Sequence, residues 1–348
     1  MSATSRKGMW RAVALGLGLA WVVGVAAQSP AVSPTEAAQA KSQASQQISQ
    51  PLNNQPLWKE IRSGEPQFTS IPGRETNVLI QPQGQTWRAA RVPIATAGGF
   101  IFVFAVLALL SFYFWRGPIK VHGQLSGRMI ERFTVVERFV HWTVAITFTT
   151  LAVTGLVLTF GKAALLPLIG YTLFSWLAIV SKNLHNFVGP ILSVMLPVMI
   201  VLFLRENLFN ARDLEWLKKG GGMISGEHVP ANKANAGQKF LFWAMVVALG
   251  LTLVVTGLIL DFPNFNQTRQ TMQVVNVIHM IAGILAVTLL AGHIYLGTIG
   301  MQGAWEAMRY GYVDETWAKE HHEHWYNEVR SGSMQSKAMP SAAEPRTA

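Results

Sequence analysis

Five stretches of the sequence, residues 92–115, 139–161, 183–204, 240–260 and 270–305, contain no charged side chain. About 20 apolar residues rising 1.5 Å each in a helix cross a hydrocarbon core of about 30 Å. In lipid the backbone must satisfy its own hydrogen bonds, so runs of this length fold as helices. We expect an all-α fold, a polytopic transmembrane helical bundle. Charged residues make up only 13% of the chain, against roughly 25% in soluble domains, which excludes an aqueous enzyme fold. A sixth uncharged run, 163–181, is interrupted by Pro167, Gly170, Tyr171 and Ser175, and only Lys182 separates it from the next span. We expect it at the membrane interface.

The organisation follows from charge. Arg6, Lys7 and Arg11 precede an apolar run ending Val25-Ala26-Ala27, the form of a signal peptide over residues 1–27. Residues 28–91 read as an extracytoplasmic extension, a tether rich in Gln, Ser, Ala and Pro to about Gln55 and then an arm with Trp58, Ile61, Phe68, Ile71 and Trp87 that suits folding against a partner. Residues 92–115 read as an additional transmembrane helix and 116–138 as a cytoplasmic loop. Residues 139–299 hold four spans and 300–348 a cytoplasmic tail. Stretches 116–138, 205–239 and 300–348 carry 5, 6 and 5 basic residues, while loops 161–182 and 261–271 carry 2 and 1. The positive-inside rule then places the mature N-terminus outside and the C-terminus inside. The basic residues behind the net charge of +10 are spread over loops between apolar spans, which membrane topology explains without a nucleic-acid partner.

There are no cysteines, which excludes disulfides, cysteine-ligated iron–sulfur clusters and c-type haem attachment. Histidine remains as the strong ligand. Four lie within spans: His141, His185, His279 and His293. Fourteen residues separate His279 from His293, about 21 Å of rise and close to four whole turns, so one helix face offers a ring in each leaflet. Depth pairs His141 with His293 at the inner level and His185 with His279 at the outer level. Two rings at each of two depths suit axial ligation of two b haems, whereas zinc or copper sites take three or more ligands. The residue four positions after each histidine is small (Ala145, Gly189, Gly283, Gly297), leaving room on the same face for a macrocycle. The spans contain no Asp or Glu, which argues for redox chemistry over proton transport. A short echo, Val153-Thr154-Gly155-Leu156 and Val255-Thr256-Gly257-Leu258, reads as close helix packing without chemistry.

Several segments resemble the gamma subunit, a di-haem cytochrome b, of respiratory membrane-bound formate dehydrogenase. They are Arg138-Phe139-Val140-His141-Trp142, Leu184-His185-Asn186-Phe187-Val188-Gly189, Asn235-Ala236-Gly237-Gln238-Lys239 before Phe242-Trp243, Ile278-His279 with Ala282-Gly283, and His293-Ile294-Tyr295. In the tail, Trp317-Ala318-Lys319, His321-His322 and Trp325-Tyr326 also match. The resemblance implies two haem b on the four histidines. It implies a quinone, the electron acceptor, bound beside Asn235, Gly237 and Gln238, with Lys239 as a neighbour. It further implies an iron–sulfur beta subunit and a catalytic alpha subunit, the latter oxidising formate. Without it, residues 235–239 read as a helix start. The segment 1–115 has no counterpart in the four-helix core and adds one N-terminal span.

Other readings remain open: a di-haem cytochrome b serving a hydrogenase or thiosulfate reductase, or a haem-free membrane anchor whose histidines only pack. His321, His322 and His324 lie in a charged tail and read as no metal site. His122 and His228 read as exposed loop residues.

Overall fold

A computed structural model describes residues 82–222 and 229–332, with Ala38 and Ser63 in addition. The expected signal segment, most of the 28–91 extension, His228 and the tail beyond residue 332 lie outside the described residues. In chain order the elements are α1 (Pro82–Arg116), β1 (Met129–Glu131), α2 (Val135–Ala164), α3 (Leu166–Phe203) and α4 (Ala211–Lys218). Then come α5 (Ala236–Leu241), a π-helical stretch Phe242–Leu249, α6 (Gly250–Asp261), α7 (Arg269–Gly297), α8 (Ala304–Tyr310), β2 (Tyr312–Asp314), α9 (Glu315–His321) and α10 (Glu323–Arg330). Among the described residues, five helical segments are long and apolar enough to cross a membrane, namely Thr86–Arg116, Val135–Ala164, Leu166–Phe203, Ala236–Asp261 and Arg269–Gly297. The protein is an all-α integral membrane protein.

Two boundaries differ from the sequence expectation. The run 163–181 is helical rather than set apart from the spans: α2 ends in it at Ala164, and α3 runs through it from Leu166 with a break at Gly170 (φ 76°, ψ 172°). From residue 171 onward α3 is about 50 Å long at 1.5 Å per residue, well over a hydrocarbon core, so its excess turns reach the headgroups. The last span ends at Gly297, two residues before the expected boundary at 299 although the uncharged run continues to 305, and the Gly300 N–H turns back onto the Tyr295 carbonyl at 2.7 Å.

The chain divides into two units. One comprises Ala97–Leu258 and Met280–Ala348. Its apolar core lies within the spans: Val144, Phe148 and Ala152 on α2, Leu192 and Leu196 on α3, and Ala286 and Leu290 on α7, with Met245, Leu249 and Leu253 packed against them. Spacings of four residues put each set on one helix face, while Phe139, Ile146, Phe187, Val194 and Val201 stay exposed, as suits lipid-facing positions. α1 joins this unit through small residues: a Cβ on Gly98 would lie 2.6 Å from Ile284, and one on Gly99 3.1 Å from Phe160.

The loop 116–138 and the tail are not free segments. They fold together, with β1 antiparallel to β2 (Ile130 opposite Val313), over a second core of Ile130, Ala307, Val313, Trp317, Ala318 and Trp325. Asp314 ties the halves. Its carboxylate accepts Gly127 N–H at 2.7 Å, Ser126 N–H at 3.1 Å and Thr316 N–H at 2.8 Å, the last capping α9. Burial disfavours ionisation there, but these backbone donors and the Ser126 hydroxyl outweigh it and hold the carboxyl below its ordinary range.

The other unit comprises Met1–Thr96 and Ile259–His279. In it, a Cβ on Gly84 would meet Gln273 Nε2 at 3.3 Å, and the Thr268 hydroxyl accepts Thr271 N–H at 3.0 Å at the start of α7.

Candidate functional site

The sequence motif Arg138…His141-Trp142 opens α2 after a capping box. The Thr134 hydroxyl accepts Glu137 N–H at 3.3 Å and the Glu137 carboxylate accepts Thr134 N–H at 2.6 Å. The cap fixes the register at which His141 enters the bundle. Two motif side chains then clamp α2 to α8: Arg138 donates to the Arg309 carbonyl at 2.7 Å, and the Trp142 indole to the Met308 carbonyl at 3.2 Å. Trp142 also packs edge-on against Trp305, ring centres 5.4 Å apart.

With α2 so held, His141 faces His293 of α7, ring centroids 6.1 Å apart and planes at 56°. The fit to a bis-imidazole metal is close: two metal–nitrogen bonds of about 2.0–2.1 Å, plus about 1.1 Å from nitrogen to ring centre on each side, span roughly 6.3 Å. His141 Nδ1 is buried without a hydrogen-bond partner among the described residues. Beside the second histidine, four residues along α7, a Cβ on Gly297 would meet nothing within 4 Å. The residues present fit a haem ligated by this pair.

His185 on α3 has a different surround. Its Nδ1 lies 2.8 Å from the Thr154 hydroxyl on α2, and Gly155 leaves the ring room, since a Cβ there would lie 3.4 Å from His185 Cε1. Space is open beside Gly189, where an added Cβ meets nothing within 4 Å. The Thr-Gly echo, read from the sequence as packing alone, therefore contacts a site histidine in its first copy. The signal lay in the sequence: a threonine and a glycine together on the neighbouring span. His279 sits half-buried on α7 in the other unit, one helix with His293.

The segment 235–239 is built as a helix start. The Asn235 side-chain oxygen accepts Gln238 N–H at 2.9 Å, and the Gln238 oxygen accepts Asn235 N–H at 3.0 Å, a reciprocal cap for α5. Both amide oxygens are engaged in the cap, so the donors these residues can offer a ligand are their NH₂ groups. Gly237 admits Trp216, whose ring would lie 2.9 Å from an added Cβ. Lys239 points inward and pairs with Asp213 of α4 at 2.8 Å, the side chains 1% and 5% exposed.

The tail histidines differ from an exposed cluster. His322 is fully buried between Trp317 and Trp325, ring centres 5.2 and 6.4 Å away, and its Nδ1–H donates to the Asn232 carbonyl at 2.6 Å. Burial, then the nearby Arg132 cation, push its pKa well below the ordinary imidazole value. Among the described residues no group of three or more His, Asp or Glu is placed to hold a metal ion. His122 is exposed, 3.4 Å from the Glu320 carboxylate.

Residues 132–311, just over half the chain, match the prokaryotic cytochrome b561 family. The chain is 33% identical over 225 residues to the nitrate-inducible formate dehydrogenase cytochrome b556(Fdn) subunit of Escherichia coli (strain K12), covering 61% of this chain and 97% of that one. It is 31% identical over 210 residues to the formate dehydrogenase cytochrome b556(fdo) subunit of the same organism, covering 58% and 93%. To the formate dehydrogenase cytochrome b556 subunit of Haemophilus influenzae it is 28% identical over 210 residues, covering 57% and 83%. With the match running from the start of α2 through α7 and taking in all four intramembrane histidines, this chain belongs to the prokaryotic cytochrome b561 family, as a haem b-type cytochrome b subunit of the formate dehydrogenase kind.

Proposed function

We propose that the chain holds two b haems, one on His141 and His293 and one on His185 and His279, and links an outer electron donor to quinone at the inner face of a bacterial inner membrane. The facing of His141 and His293 at 6.1 Å carries the reading. The fourteen-residue spacing of His279 from His293 on one helix supports the second level. Bound haem supplies a one-electron carrier at each level. The protein's part is to hold the imidazoles in fixed rotamers and to exclude water with the surrounding apolar faces.

Quinone binds beside Asn235, Gly237 and Gln238, where amide NH₂ groups at a half-exposed helix start donate to its oxygens. An iron–sulfur beta subunit delivers the electrons and a catalytic alpha subunit oxidises formate; the names of the relatives, cytochrome subunits of formate dehydrogenases, support only that the chain serves such a complex. The basic loops face the cytoplasm and so does the C-terminus.

The test is a reduced-minus-oxidised spectrum with a haem-to-protein ratio on the purified chain. Two haems per chain are expected in the wild type and one in His279→Ala. Two haems in that variant overturn the pairing, and a haem-free wild type overturns the whole reading. Formate-dependent haem reduction in native membranes tests the partner; its absence redirects the cytochrome to another oxidoreductase.

A further inference from the structure

Thr154 is 5% exposed within α2, and its hydroxyl has three neighbours: the Thr150 carbonyl at 2.8 Å, the Leu151 carbonyl at 3.2 Å and His185 Nδ1 at 2.8 Å. A hydroxyl has one proton and two lone pairs. The two carbonyls can only accept, so the proton goes to the helix backbone and the lone pairs face the ring. The ring nitrogen must then be the donor. His185 carries its proton on Nδ1, which leaves the lone pair on Nε2. Gly155 lies beside the same ring edge, where an added Cβ would be 3.4 Å from His185 Cε1 and 3.9 Å from Nδ1.

We propose that Thr154 is a positioning residue for the outer haem: it fixes the tautomer and rotation of His185 so that Nε2 is the ligating nitrogen, and its hydrogen bond makes that ligand more basic. The proposal rests on the haem reading above. A ligand imidazole whose other nitrogen donates a hydrogen bond is a stronger donor to the metal and favours the ferric over the ferrous state. Removing the acceptor raises the midpoint potential of one haem only. The inner pair differs on this point, because His141 Nδ1 has no such partner among the described residues.

The experiment is a spectroelectrochemical titration of the purified full-length chain and three variants. Thr154→Val keeps the shape and deletes the hydroxyl; it is expected to shift one of the two midpoints upward, by about a tenfold change in the ferric-to-ferrous equilibrium, or ~59 mV for one electron. Thr154→Ser keeps the hydroxyl and is expected to restore the wild-type value. Thr150→Val removes a like hydroxyl one turn away that bonds only the Ile146 carbonyl, and is expected to move neither midpoint. Two haems with both midpoints unchanged in Thr154→Val overturn the proposal while leaving the haem reading intact. A wild type without haem overturns the haem reading itself. If Thr154→Val loses a haem, recovery in Thr154→Ser supports the proposal and equal loss there overturns it.

Discussion

Lys239 and Asp213 show how a single pair can hold two elements together. The ammonium is 1% exposed and the carboxylate 5%, joined at 2.8 Å, and Asp213 also closes the cap of α4 by accepting Asn210 N–H at 2.7 Å. Truncating one partner strands the other charge out of water, at a cost of about 3–5 kcal/mol. Asp213→Ala is therefore expected to lower the thermal midpoint in detergent clearly more than Asp213→Asn. His322 gives a pH dependence at the same scale. Its folded-state pKa lies below the ordinary 6.5, so the unfolded chain binds the proton that the buried ring refuses. Its contribution is complete above that value and is lost as pH falls below it. Fluorescence of the adjoining Trp317 and Trp325 is expected to report loosening at pH 5 relative to pH 7.5, and His322→Asn, which keeps a donor for the Asn232 carbonyl, to flatten that response. Arg132 sharpens the effect as the nearest cation.

Among the elements, α3 is the most instructive. Its sequence holds Pro167 and Gly170 before an otherwise uniform helix, and the backbone at Gly170 adopts φ 76° and ψ 172°, a region open essentially to glycine alone. Gly170→Ala is expected to cost about 1–3 kcal/mol, read as a lower thermal midpoint with the haem content of the wild type unchanged. That the helix resumes at once on the far side was not legible from periodicity. A glycine and a proline in an apolar run read equally as a helix end, and which applies depends on what packs beyond them. The caps at Thr134 with Glu137 and Asn235 with Gln238 are the opposite case, since their spacing is local chemistry and the folded chain makes the bonds that the spacing names. The same local chemistry explains why Asn235 and Gln238 serve as a helix start whether or not they also meet quinone.

For the whole molecule, the expected orientation follows from loop charge rather than from any contact. Sixteen Lys and Arg residues lie in the loops of one side against three on the other, so a reporter fused after residue 348 is expected to be active when it requires the cytoplasm and silent when it requires the periplasm. A reporter of the opposite preference in that position would reverse the assignment and with it the side on which quinone is placed. The absence of cysteine makes the chain suited to paired-cysteine cross-linking, because introduced thiols have no background.

The number of spans, their helical state and the four histidines were written in the sequence, because solvation by lipid acts on every residue of a run and leaves an unbroken local record. Tertiary structure decided the rest: the folding of the tail onto the loop 116–138, which buried His322 and Trp325, the union of Lys239 with Asp213, and the meeting of Thr154 with His185. Each joins residues far apart in the chain, and such contacts depend on helix rotation and depth, quantities that no single stretch of sequence encodes.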